Sequence, residues 1–112
     1  MSAVDHLLHC VAYVAVQALP PREAYSVVLR VGSLLPQRRS PEAVRRAASR
    51  LRRGTCLSRA MTISARAPGS EVVIGVQPPA SFSAHAWVEL GGAPLRADDP
   101  RGAEIARLRR PD

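Results

Sequence analysis

The sequence predicts an α+β fold, helices first and a small antiparallel sheet after them, and three observations carry that expectation. Apolar residues recur at helical spacing up to about residue 67. From Glu71 the pattern changes to Val- and Ile-rich or alternating runs, the period of strands. Gly91-Gly92 then separates two such runs as a tight hairpin turn. The 112 residues, 46% of them apolar, suffice for one modest core and not for two. A single domain over 1–112 is expected: helical 1–67, sheet 70–99 and a polar tail 100–112.

In residues 3–18, Val4, Leu7, Leu8, Val11, Val14 and Ala18 share helical spacing, and Pro20-Pro21 ends the run. Asp5, the only acid in that stretch, suits the positive end of the helix dipole. A second helix is expected over 22–35, with Tyr25, Val28, Leu29 and Leu35 on one face. Gly32 weakens its end and Pro36 closes it. Ser40-Pro41-Glu42 is a start signal: Ser caps, Pro takes the first helical position, and Glu sits in the dipole-favoured first turn. That third helix runs through Val44, Ala47, Ala48 and Leu51 until Gly54. Thr55 caps a fourth, which continues through Leu57, Ala60, Met61 and Ser64 until Ala67-Pro68-Gly69.

Strands are expected over 71–77 and 84–90, then a short third strand over 93–98 that Pro94 marks as an edge. The tail carries a faint helical pattern from Ala103 to Arg109.

The net charge is +7, and every basic residue except the three histidines is an arginine. Arg38, Arg39, Arg45, Arg46, Arg50, Arg52 and Arg53 form one cluster, with Arg107, Arg109 and Arg110 a second. Such a surface suits an acidic partner, whether nucleic acid or an acidic peptide or protein. Uniform arginine beside abundant Ala, Pro and Gly also fits the codon bias of a GC-rich genome. A nucleic-acid module is the weaker reading: no zinc motif is present, and Phe82 and Trp87 are the only large aromatics near the strands. No run approaches the ~18 apolar residues of a membrane span, and no signal peptide begins the chain, so a cytoplasmic protein is expected. Two cysteines, Cys10 and Cys56, are too few for a disulfide framework. His6, His9 and Cys10 are spaced for a metal, but no second cluster completes the ligand set. Helix packing explains them better, and no cofactor is expected.

The chemistry concentrates between Cys56 and Asp99. A cysteine in the first turn of a helix meets unsatisfied backbone N–H groups and the positive dipole end, which favour a thiolate and could hold an oxyanion beside it. The bland alternative is a buried, inert cysteine. His85 lies in an alternating strand, sharing a face with Trp87 and Glu89. With a two-residue turn at Gly91-Gly92, Leu90 pairs with Ala93 and His85 comes opposite Asp98. A three-residue turn would bring Asp99 there instead, or Ala97, which cannot act. Glu89 is a further acid on the His85 face, displaced two residues along the strand. Cys56, His85 and Asp98 thus form a candidate nucleophile, base and orienting acid.

These residues resemble the transglutaminase-like cysteine proteases of lasso-peptide biosynthesis, the C-terminal half of the microcin-type B proteins. The marks are Cys56-Leu57 with Arg59, the Ile74-Gly75-Val76 strand, and Ala84-His85-Ala86-Trp87-Val88-Glu89. The resemblance implies a transglutaminase-like, papain-like core with a Cys-His-Asp triad, carried here by Cys56, His85 and Asp98. In the family the acid falls slightly closer to the histidine, where this chain has Ala97. It also implies a substrate and partners: a ribosomally made precursor whose leader is removed, a separate leader-binding protein, and an ATP-dependent, asparagine-synthetase-like cyclase that closes the core. Acyl transfer to an amine, as in transglutaminases and arylamine N-acetyltransferases, uses the same triad and stands as the alternative.

Overall fold

Four helices precede four strands, in the order the two hydrophobic periods require. The computed structural model describes residues 3–51, 54–76, 84–95 and 103–110. The helices are α1 (Ala3–Ala18), α2 (Pro21–Gly32), α3 (Pro41–Arg50) and α4 (Cys56–Ala65). The strands are β1 (Ser70–Val76), β2 (Ala84–Leu90), β3 (Ala93–Pro94) and β4 (Ala103–Leu108). The α+β class expected from the sequence is the class observed.

Local signals set most of the helix ends. Ser40 is extended and its hydroxyl accepts the Ala43 N–H, with Pro41 opening α3. α2 stops at Gly32, three residues short of the expected end. A Cβ at Gly32 would lie 2.8 Å from the Ala65 Cβ and 2.9 Å from the Ala65 carbonyl oxygen, so only glycine lets α2 cross α4 this closely.

α4 is the central element, packed against α1, α2, α3 and both β1 and β2. Every residue from Ala60 to Ala65 is buried, the polar ones included. Those polar groups are satisfied. The Thr62 hydroxyl donates to the Ser58 carbonyl at 2.8 Å, and Ser64 Oγ lies 2.7 Å from the Tyr25 hydroxyl and 2.8 Å from Ser70 Oγ. Around α4 one apolar core joins Leu8, Ala12, Val28, Val44 and Met61 of the helices to Val72 and Val88 of the sheet.

The sheet runs β3-β2-β1-β4, every neighbour antiparallel. Leu90 pairs with Ala93 and Glu89 with Pro94, leaving Gly91-Gly92 as a two-residue turn. Their φ angles of 64° and 83° are left-handed, as a twist-matched hairpin turn demands. The Leu95 N–H donates to the Val88 carbonyl at 2.9 Å, so the same register holds through Leu95. Residues 96–98 of the expected third strand lie outside the described residues.

Two expectations are corrected. The tail is not helical: Ala103–Leu108 is a strand, pairing Val72 with Leu108 and Val73 with Arg107, with a bulge beside Gly75 that leaves Ile105 61% exposed. Without it, β1 would present an open edge beside the core. β4 covers that edge, buries Leu108, and carries Arg107 to Glu71 and Glu89 on the opposite face. Arg110 then donates to the Ser64 and Ala67 carbonyls at the end of α4.

Asp5 does sit in the first turn of α1, yet the dipole is not its main partner. It is 2% exposed and held between Arg38 Nη2 at 2.5 Å and Arg66 Nη1 at 2.8 Å. Arg66 Nε also donates to the Pro36 carbonyl at 2.9 Å. One member of the expected basic surface, Arg38, is therefore drawn inward, while Arg45, Arg46 and Arg50 remain exposed. Among the described residues no helix is long and apolar enough to cross a membrane.

Candidate active site

Cys56 owes its position to a reciprocal cap. Thr55 is extended, its Oγ1 accepts the Ser58 N–H at 3.1 Å, and Ser58 Oγ accepts the Thr55 N–H at 3.1 Å. This locks the first turn of α4 with Cys56 as its first residue, where the sequence places it. Backbone amides in that turn have no helical carbonyl to reach. Cys56 is half-exposed, and its sulfur accepts the Ala86 N–H at 3.3 Å. Strand parity explains that donor. Val88 turns its carbonyl toward β3, so Ala86, two residues earlier, also points its peptide group off that edge of β2, where α4 begins.

His85 is the next residue along β2, half-buried and paired across β1 with Gly75, which has no side chain to crowd it. The fold thus brings two elements of the expected site together: the nucleophile at the helix tip and the strand that carries the histidine. Asp98 and Asp99 lie outside the described residues. Glu89 is committed elsewhere: Oε2 accepts the Trp87 indole N–H at 3.1 Å and Oε1 accepts from Arg107 at 2.8 Å. Hydrogen bonds that Arg107 donates to Glu104, Glu89 and Glu71 raise its guanidinium pKa above the ordinary range. Glu89 therefore organises the outer face of the sheet.

The sequence names His9 but not its partner in the site neighbourhood. His9 Nε2 lies 3.1 Å from Ser58 Oγ, the hydroxyl that completes the cap under Cys56. Its ring also packs on Gly54, where a Cβ would come within 2.5 Å of Nε2 and φ is +83°. Spacing within α1 suggested His6, His9 and Cys10 as a set, whereas the contact that matters spans 49 residues. Among the described residues no group of three His, Cys, Asp or Glu side chains is placed to hold a metal.

Burial, then the nearby Arg59 and His6, lower the His9 pKa from its ordinary 6.5. As pH falls below about 6.5 the unfolded chain takes up this proton before the folded one, so stability is full above that value and declines below it until folded His9 itself protonates. His9→Gln cannot titrate and keeps an N–H for Ser58. Urea midpoints at about pH 7.5 and about pH 5 should differ less in the variant than in the parent. An equal difference would show that His9 contributes nothing to the acid side of the stability curve.

The arrangement has the ingredients of acyl chemistry: a half-exposed cysteine at a helix N-terminus, backbone donors beside it, and a histidine on the adjoining strand residue. A family model described as the transglutaminase-like superfamily matches residues 14–110, a span that includes the start of α4, the β2 hairpin and β4. No curated protein and no solved structure gives a significant match to the chain.

Proposed function

The chain belongs to the transglutaminase-like superfamily, and we propose that it is a cysteine peptidase that removes the leader from a ribosomally made lasso-peptide precursor before macrolactam closure. The fold itself suits cysteine-protease or acyl-transfer chemistry. The observation that carries the finer reading is Cys56 at the capped tip of α4, its sulfur on the Ala86 N–H within the Ala84–Glu89 motif that resembles the lasso-peptide B proteins.

In this reading Cys56 gives its thiol proton to His85 and its sulfur attacks the carbonyl carbon at the leader–core junction, forming a C–S bond and an oxyanion that backbone amides of the first turn of α4 receive. The carbonyl reforms as the C–N bond breaks, and His85 delivers its proton to the departing amine of the core. Water then attacks the thioester, His85 takes its proton, the C–S bond breaks, and the leader leaves with a free carboxylate. Asp98, which lies outside the described residues, is assigned the role of orienting acid on the hairpin count read from the sequence and on the family resemblance. Asp98→Asn should lower turnover by about 10⁴-fold with Asp99→Asn near normal. The reverse pattern, read by leader release, would assign the role to Asp99.

The substrate arrives with a separate leader-binding protein, and the freed core passes to an ATP-dependent cyclase. Arg45, Arg46 and Arg50, exposed on α3, offer a docking face for carboxylates of that leader-binding partner. The decisive test incubates the chain with a precursor and its leader-binding protein, with and without an added primary amine, and weighs the products. Free leader acid and free core support hydrolysis. A leader–amine adduct as the main product would make the chain an acyltransferase, and an intact precursor would overturn the peptidase reading.

A further inference from the structure

Of the apolar residues that recur along α1, Val4, Leu7, Leu8, Val11, Val14 and Ala18, only Leu8 is buried. Leu7 and Val14 are 69% and 65% exposed, Ala18 is exposed, and Val4 and Val11 are half-buried. Without Leu8, the other five follow alternating three- and four-residue steps, the seam of a coiled coil, on a side where a surface helix ordinarily carries polar groups. We propose that this outer face of α1 is a self-association surface, on which a second copy of the chain packs with the two α1 helices antiparallel. Charge and symmetry both favour that occupant. The chain carries +7, and the exposed faces of α2 and α3 present Arg22, Arg30, Arg45, Arg46 and Arg50. α1 has no arginine, and its one acid, Asp5, is buried between Arg38 and Arg66. Two like-charged copies therefore meet with least repulsion here. When one copy is turned end over end about a point between Cys10 and Val11, its Leu7 meets Val14 of the other and its Ala3 meets Ala18. The stripe is thus its own complement, as a two-fold contact requires, and the two helix dipoles run antiparallel. The cavity beside Cys56 is lined from α3, α4, β2 and Leu95, so this contact does not involve it. A single helix face lies at or below the low end of the ~1,200–2,000 Å² buried by stable complexes, so the dimer is reversible.

Sedimentation velocity of the full-length chain in reductant, from about 5 to about 500 μM, should pass from the 12.0 kDa monomer toward twice that mass. Leu7→Glu and Val14→Glu each place two carboxylates in the two-fold contact and should weaken it at least 10-fold, roughly the effect of desolvating them. Both positions are exposed, so far-UV circular dichroism should be unchanged. Ile105→Glu, at an exposed apolar position on β4, should leave the dimer intact. Raising salt from about 50 to about 500 mM should strengthen it about 2- to 5-fold by screening like charges. Cys10 lies beside the two-fold axis, so diamide should join Cys56→Ala copies through a Cys10–Cys10 disulfide, about 10-fold faster than when Leu7→Glu is added. A parent that stays monomeric to about 500 μM, a dimer untouched by both glutamate variants, or one that salt dissociates would overturn the proposal. A dimer lost only in Ile105→Glu would overturn it too, by moving the contact to the edge of β4.

Discussion

Cys56→Ala is expected to release no detectable core peptide, a loss of at least about 10⁴-fold, while the folded structure persists. Among the described residues the thiol is the only nucleophile at the tip of α4 free to form an acyl intermediate in this reading, since the Ser58 and Thr55 hydroxyls are engaged in each other's cap. The structural cost is small. Cys56 is half-exposed, and the Ala86 N–H that loses its sulfur partner lies beside an open cavity that water can enter. A stability change of about 1 kcal/mol or less is expected from that one exchange. Cys10→Ala, at an exposed position on α1, should retain parental activity. Leader release by Cys56→Ala, measured by mass spectrometry against the parent, would rule out the covalent mechanism.

The largest effect on stability is expected at Asp5. Asp5→Ala leaves Arg66, 8% exposed, and Arg38 with cationic groups facing each other where a carboxylate stood. Removing one partner of a buried ion cluster costs about 3–5 kcal/mol, a large part of the stability of a chain this size. The cluster ties the start of α1 to the α2–α3 connection and the end of α4, and His9, one turn further along α1, touches the beginning of α4 through Ser58. α1 therefore clasps α4, the helix that begins with Cys56, near both its ends. Urea unfolding should show the loss as a lower midpoint with an unchanged slope. Replacing all three members together, with Asp5→Leu, Arg38→Met and Arg66→Met, should recover most of it, because apolar groups of similar size need no counter-charge. A loss under about 1 kcal/mol for Asp5→Ala would mean that the cluster behaves as a solvent-screened surface pair.

Elements whose information is local were legible from the sequence alone. Thr55 predicts a helix start that puts Cys56 at the tip, because a cap is a bond between near neighbours, and the structure adds Ser58 as its reciprocal partner. Gly91-Gly92 between alternating runs sets the register from Leu90 through Leu95, because only glycine takes both left-handed turn positions without strain. Ser40-Pro41-Glu42 marks the start of α3 for the same kind of reason.

What tertiary structure decided are the pairings between distant segments. Ala103–Leu108 is short and mixed in polarity, and the open edge of β1 makes it a strand. Asp5 reads as a dipole charge until Arg38 and Arg66 arrive from 33 and 61 residues away. The donor that meets the Cys56 sulfur is a backbone N–H, a group nearly every residue carries. Its identity as Ala86 depends on which edge of β2 faces the tip of α4, and that follows from how helix and sheet pack, since a peptide group has no side chain to announce its role.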